Sequence, residues 1–313
     1  MPPITPNIPL TDLPEPLFSR ALEALKLNDS QNSLIREFAQ KGFLVIQPEI
    51  DLKTIEAAIE ATKVACVSSE GKILERRVMD AWRKNASIKA IAAAPKIMEV
   101  LRLLYQRRPI PFQTLNFPIG TEQKTHSDTI HFNCYPRGFM CGVWVAFEDT
   151  DSENGALHYY EGSHRLPVYE MFDIGREGRA IQHSSQPEHY GYYESFIESF
   201  IDHQGFAKKE LHLKKGEALI WASNLFHGGN PIKNPSRTRF SQVTHYYFEN
   251  CMYYTPLTCD PYPGKIQLKP LIDIATGESI SNQFNGKPVS IYLGQDFVSG
   301  FKQLGRILRS RFR

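Results

Sequence analysis

Phe112-Gln113-Thr114-Leu115-Asn116-Phe117 is where the chain changes its rhythm. Before Pro111, apolar residues recur at helical spacing. From Phe112 onward they alternate with polar ones, the period of a strand with one buried face. Similar short segments return at Gly142-Val143-Trp144-Val145-Ala146-Phe147, at Gly216-Glu217-Ala218-Leu219-Ile220-Trp221 and at Thr244-His245-Tyr246-Tyr247-Phe248. Many short strands separated by turn formers predict a jelly roll, mainly β with flanking helices.

Working outward, residues 1–110 read as a helical amino-terminal part. Leu17 to Leu27 and Ser33 to Gln40 have helical patterns, the second opened by Ser33 as N-cap and closed near Gly42. Gly42-Phe43-Leu44-Val45-Ile46 reads as a short buried strand. Ile55 and Ile59 mark another amphipathic helix, and Ser87 to Tyr105 a helical stretch nicked by Pro95. Residues 111–250 then form the core, with an insertion at 166–208, and 251–313 a carboxy-terminal extension, all in one domain. The insertion is rich in His, Tyr, Phe and Glu, and its length suits a lid over a binding site as well as a surface excursion.

Composition excludes several classes. Hydrophobic residues make up 42% of the 313 and charged ones 22%, values of an ordered globular protein. A net charge of +2 argues against a broad nucleic-acid surface. No apolar run is long enough to span a membrane, and the start Met1-Pro2-Pro3-Ile4-Thr5-Pro6 lacks the features of a secretory signal. Cys66, Cys134, Cys141, Cys251 and Cys259 have no CxxC spacing and read as reduced thiols of a cytoplasmic protein. In the tail 298–313, Val298, Phe301, Leu304, Ile307, Leu308 and Phe312 form an apolar stripe between basic residues. Such a stripe suits packing on the domain or a second subunit, or contact with a membrane surface.

The chemistry-bearing set is His126-Ser127-Asp128, His227 and Arg239. Two imidazoles and a carboxylate are the ligands of the facial triad that holds Fe(II) with positions left open. If the segment is extended, His126 and Asp128 point the same way and can reach one metal. His227 would come from the exposed end of a strand, where Gly228-Gly229-Asn230-Pro231 reads as a run of turn formers that lets a ligand approach. An arginine such as Arg239 can grip a distal carboxylate in fork geometry. A zinc hydrolase could use the same ligand types, and a binding module on the same fold could carry them without catalysis.

The chain resembles the phytanoyl-CoA dioxygenase family of Fe(II)/2-oxoglutarate oxygenases. The resemblance runs in order through Thr125 to Phe132, Gly142 to Asp149, Asn154-Gly155-Ala156-Leu157, Gly162-Ser163-His164, His227 to Asn230 and Arg239-Phe240-Ser241. It implies a cupin-like double-stranded β-helix, with His126, Asp128 and His227 as iron ligands and Arg239 as the anchor of 2-oxoglutarate. Arg237 is the second choice for that anchor; Trp144 and Gln123 join it as cofactor-binding candidates, and His131 is a candidate neighbour of the metal. Glu161 stands where relatives have proline, and His164 is expected to be structural. The implied reaction consumes O2 and 2-oxoglutarate, releases succinate and CO2, and hydroxylates an unactivated C–H bond of a small or medium organic substrate. Relatives that halogenate have a small residue in place of the carboxylate, so Asp128 favours hydroxylation, desaturation or ring formation. Gln113, Asn116, Gln123, Arg137, Tyr159 and Tyr160 are candidates for the substrate pocket, Arg137 for an anionic substrate.

Overall fold

The computed structural model describes residues 7–178, 187–260 and 266–289; for residues 187 and 188 it describes the backbone alone. The tail 298–313 lies outside the described residues.

Helices come first in the chain, as the periodicity predicts: α1 (Leu17–Ala24), α2 (Asp29–Lys41), α3 (Leu52–Cys66), α4 (Ala86–Ala92) and α5 (Pro95–Tyr105). Their ends follow local chemistry, and three expectations need correcting. α1 stops at Ala24, short of Leu27, and the backbone turns left-handed at Lys26. α2 begins before Ser33, because Asn28 caps it and Gln31 completes a reciprocal capping box, an arrangement worth about 1 kcal/mol. Ser33 is an exposed residue inside the helix. The stretch from Ser87 to Tyr105 is two helices: Asn85 caps α4, and Pro95 is the first residue of α5, where its missing N–H costs nothing. Gly42 ends α2 as expected, at φ 82°.

Strands β1 (Phe43–Ile46), β2 (Val78–Met79), β3 (Pro109–Phe117), β4 (Asn133–Tyr135), β5 (Met140–Ala146), β6 (Leu157–Tyr159), β7 (Lys209–Leu211), β8 (Ala218–Ala222), β9 (His227–Gly229), β10 (Ser241–Phe248) and β11 (Met252–Tyr254) build the roll. The major sheet runs β1-β8-β5-β10-β3-β2, antiparallel at every pairing. The minor one is β7-β6-β9. Neighbours in both sheets are distant in sequence, as jelly-roll crossovers require.

Each strand of the major sheet divides its residues between two faces. Val143, Val145, Ile220 and Tyr246 share the larger core with Ile35, Phe38, Ile88, Leu101 and Leu104 of the helices. Gln242 and the Tyr246 hydroxyl donate to the Ile88 and Ala92 carbonyls, tying the sheet to α4. The opposite face carries Trp144, Leu219 and Trp221 into a second core with Leu211 and Leu213. Farther along that face lies a cavity of about 450 Å³, lined by Gln113, Leu115 and Phe117 of β3 and by Val243 and His245 of β10. The alternation in the opening hexapeptide therefore marks the cavity wall. Within the 166–208 segment, α6 (Pro187–Gln204) is the main element, and its Tyr190 reaches the same cavity.

Candidate metal centre

His126 and His227, 101 positions apart, face each other across an isolated antiparallel bridge. Each backbone N–H donates to the other's carbonyl at 3.0 Å, and the ring centroids are 4.6 Å apart. Each ring has its Nδ1 at 2.9 Å from a nearby carbonyl, Lys124 for His126 and Leu225 for His227. A carbonyl can only accept, so Nδ1 carries the proton and Nε2 keeps the lone pair a metal needs.

Asp128 supplies the third donor. The extended backbone ends at Ser127, and Asp128 opens a one-turn 3-10 helix, Asp128–Ile130. The expected strand geometry therefore stops one residue short, yet Asp128 still turns to the histidines. Its Oδ1 lies 3.7 Å from His126 Nε2 and 3.9 Å from His227 Nε2. The ligand atoms of all three residues fall within 4.8 Å of one another, as one ion would require. Ser127 points the other way and donates to the Ser223 carbonyl, holding the segment against the loop that precedes His227.

The second carboxylate oxygen is already engaged. Trp221 donates its indole N–H to Asp128 Oδ2 at 2.7 Å, and His245 Nε2 lies 3.8 Å from the same atom. Gly142, opposite Trp221 in the sheet, makes room, since a Cβ there would run into the indole. Burial raises the Asp128 pKa, but His227, His245, His126 and the Trp221 hydrogen bond outweigh it and hold the carboxyl below its usual range. Burial, aided by His227, lowers His126 to about 3; burial also lowers His131 and His245 to about 4. These imidazoles are neutral near pH 7.

Arg239 is 1% exposed and lines the cavity. Its Nη1 donates to the Gly155 carbonyl at 2.6 Å, while its Nε is buried without a partner. Burial lowers it to about 10, so it remains a cation, and among the described residues it forms no ion pair. Its guanidinium stands 5.3 Å from the Trp144 ring. A buried arginine with unspent donors fits a carboxylate that arrives with a ligand. Arg237, the second choice, is paired with Asp151 at 2.8 Å near the surface and does not line the cavity.

Gln123 lines the cavity, its side-chain nitrogen 3.3 Å from His126 Nε2. Gln113 and His131 line it too, and His131 lies 4.8 Å from Tyr190 ring to ring. Four other expected pocket residues do not. Asn116 is buried and donates to Gln242, and Tyr159 packs on Phe43. Tyr160 belongs to a separate core under α6. Arg137 pairs with Glu170 beside another cavity of about 870 Å³. His164 is structural as expected, its ring packed against Gly42 and bonded to the Ala39 carbonyl. Gly228 and Gly229 are strand residues rather than a turn. A Cβ at Gly228 would meet the Gln123 carbonyl and the His158 ring at 2.6 Å, and one at Gly229 the Thr121 hydroxyl at 2.6 Å. They bring the 121–126 segment close, and both also line the cavity, where the lack of a side chain leaves room for a ligand.

Residues 32–241 match the sequence model of the phytanoyl-CoA dioxygenase family. The chain belongs to that family. Phytanoyl-CoA dioxygenase domain-containing protein 1 of Danio rerio is 34% identical over 80 residues, 24% of this chain and 28% of that protein. The Mus musculus protein of the same name is 25% identical over 135 residues, 42% of this chain and 39% of its own. These alignments span well under half of either relative. Among solved structures, the non-heme alpha ketoglutarate dependent carbocyclase SnoK from nogalamycin biosynthesis has a TM-score of 0.58 at 14% identity, covering 83% of this chain and 96% of its own. EctD from S. alaskensis, crystallised with 2-oxoglutarate and 5-hydroxyectoine, has a TM-score of 0.54 at 15% identity, with 80% and 86% covered. At these identities the likeness is one of fold, and it establishes the cupin-like jelly roll for this member of the phytanoyl-CoA dioxygenase family.

Sequence reasoning missed Trp221, His245, Tyr190, Arg77 and Lys269, all of which line the cavity. His245 left a signal, since one face of β10 must look inward and Val243 shares that face. Trp221 sits in a run buried on both sides, which hides its direction. Among the described residues no helix is long and apolar enough to cross a membrane.

Proposed function

We propose that the protein is an Fe(II)- and 2-oxoglutarate-dependent dioxygenase that hydroxylates an unactivated C–H bond of a small or medium organic substrate. The observation that carries this reading is the convergence of His126, Asp128 and His227 in one cavity with the buried Arg239, which has no ion pair among the described residues. His126 and His227 would bind the metal through Nε2 and Asp128 through Oδ1. Bound iron with 2-oxoglutarate and O2 supplies the oxidising power.

The chain's own part is positioning. Arg239 anchors the far carboxylate of 2-oxoglutarate, and Trp144 walls that end. Trp221 keeps Asp128 Oδ2 occupied so that a single oxygen faces the metal. Gln123, whose side-chain nitrogen lies 3.3 Å from His126 Nε2, would have to give up that contact for a metal to bind there. Substrate enters the cavity, whose walls hold it over the triad. A zinc hydrolase would leave Arg239 without a function, and a binding module would need neither the triad nor the arginine.

An anaerobic titration of Fe(II) and 2-oxoglutarate into metal-free protein, followed by the visible charge-transfer band of the chelate, tests the reading. A saturating band is expected, weakened in Arg239→Ala and absent in His227→Ala. A folded protein that binds metal but never develops the band would end the oxygenase reading in favour of the hydrolase or binding module.

A further inference from the structure

Three cations line the cavity, Arg239, Arg77 and Lys269, against one carboxylate among the described lining residues, Asp128. The described lining thus carries an excess of positive charge. A divalent metal and dianionic 2-oxoglutarate carry equal and opposite charges, so filling the site does not remove it. Arg239 is accounted for by the reading above, whereas Lys269 and Arg77 are not.

Lys269 lies beyond the segment matched by the family model. Its backbone is fixed on both sides, the N–H donating to the Tyr253 carbonyl at 2.7 Å and the carbonyl accepting from Asn282 at 3.2 Å. The ammonium stands 4.5 Å from the Phe132 ring and 5.2 Å from Phe112. Among the described residues it has no ion pair. Asp80, the carboxylate that acts on it, already accepts from the Trp82 indole and the Thr114 amide. Burial lowers Lys269 to about 8, which leaves it largely charged at pH 7. Arg77 is exposed and also without an ion pair among the described residues, while its neighbour Arg76 is taken by Glu122. Arg77 and Lys269 both line the cavity, as does His131, on which both bear electrostatically. Phe132 lies 4.6 Å from His245 ring to ring, and His245 abuts Asp128. A head group held there sits within one small molecule's reach of the triad, along a wall that includes Met79, Leu115 and Val243.

We propose that the substrate is a small organic anion, its carboxylate or phosphate gripped by Lys269 and Arg77 and its apolar part directed over His126, Asp128 and His227. This rests on the oxygenase reading for the position of the reacting carbon, but the anion site can be tested alone. Hexanoate, hexyl phosphate and hexanamide are titrated calorimetrically into anaerobic protein saturated with Fe(II) and 2-oxoglutarate, which fills the Arg239 end. At least one anion should bind roughly ten- to a hundredfold more tightly than the amide, as expected for hydrogen bonds to a charged group. Lys269→Met, which keeps an apolar stem over the two rings, should remove most of that preference without changing the affinity for hexanamide. Arg77→Gln should reduce it as well, and its exposed position keeps the test available if Lys269→Met does not fold. Hexanoate ahead of hexyl phosphate would assign a carboxylate head, and the reverse a phosphate. No binding by either anion, equal affinity for all three probes, or a preference that survives both substitutions would overturn the proposal. If the protein takes up no 2-oxoglutarate, the oxygenase reading fails separately. The titrations then run on the metal-free protein, where a preference lost in Arg239→Ala but kept in Lys269→Met overturns the anion site, and the opposite pattern upholds it.

Discussion

The hydrogen bond from Trp221 to Asp128 decides which carboxylate oxygen is left for a metal. Trp221→Phe keeps an aromatic ring in the sheet but removes the donor. Metal affinity is expected to fall roughly ten- to a hundredfold, as for other partners that orient a ligand, and a Co(II) titration of the folded variant would measure it. The two arginines should separate just as clearly. Arg239→Ala should weaken 2-oxoglutarate binding sharply in calorimetry, whereas Arg237→Ala, which loses a surface pair with Asp151, should leave it close to wild type. At this scale the sequence exposed most of the candidate site. Histidines, an aspartate and an arginine carry their chemistry in their identity, so their spacing suggested a site, and the ordered family motifs singled out which of them belong to it. Trp221 and Lys269 stayed hidden because an indole in an apolar strand and a lysine in an irregular segment give no periodic cue to where they point.

Among the elements, β9 is tightly constrained. Gly228 lies where any Cβ would strike the Gln123 carbonyl and the His158 ring at 2.6 Å, so the strand and the 121–126 segment close only with glycine. Gly228→Ala should push these two segments apart and weaken metal binding by more than tenfold, with the helices intact by circular dichroism. Unchanged affinity would show that the segment yields without moving His126. Much of the order of elements was legible because helical periods mostly give way to strand periods near Pro111, although β1 and β2 precede it and α6, inside the insertion, was not read as a helix. Their ends were less legible. Asn28 outcompeted Ser33 because its partner Gln31 closes a capping box, a choice between two good caps that periodicity does not rank. Gly228 and Gly229 looked like a turn because glycine serves equally for a bend and for close backbone packing.

Across the whole molecule, burial sets the acid response. His126 is lowered to about 3, and His131, His158, His164 and His245 to about 4, all first by burial. Their unfolded values lie near 6.5. The unfolded chain therefore binds more protons once the pH drops below about 6.5, and stability falls from there toward about 4. Asp12, raised by burial to about 7, works in the opposite sense, its contribution present below about 4 and lost as pH rises through 7. It offsets one histidine of the five. Each uncompensated group contributes at most about 1.4 kcal/mol per pH unit. Metal-free protein should thus melt at a clearly lower temperature at pH 5 than at pH 7.5, and a flat profile would contradict the burial of these imidazoles. The jelly roll was suggested by short strands and turns and made firm by the family resemblance, but its strand order, built from partners far apart in sequence, leaves no trace in local pattern. The paired main-chain hydrogen bonds between His126 and His227 also bear on how such a scaffold changes through descent. The separation of the two imidazoles is written in backbone, while Asp128 hangs from its own single helical turn. A lineage that inherits this frame can exchange the third donor by one codon and try a new reaction without having to refold the old one.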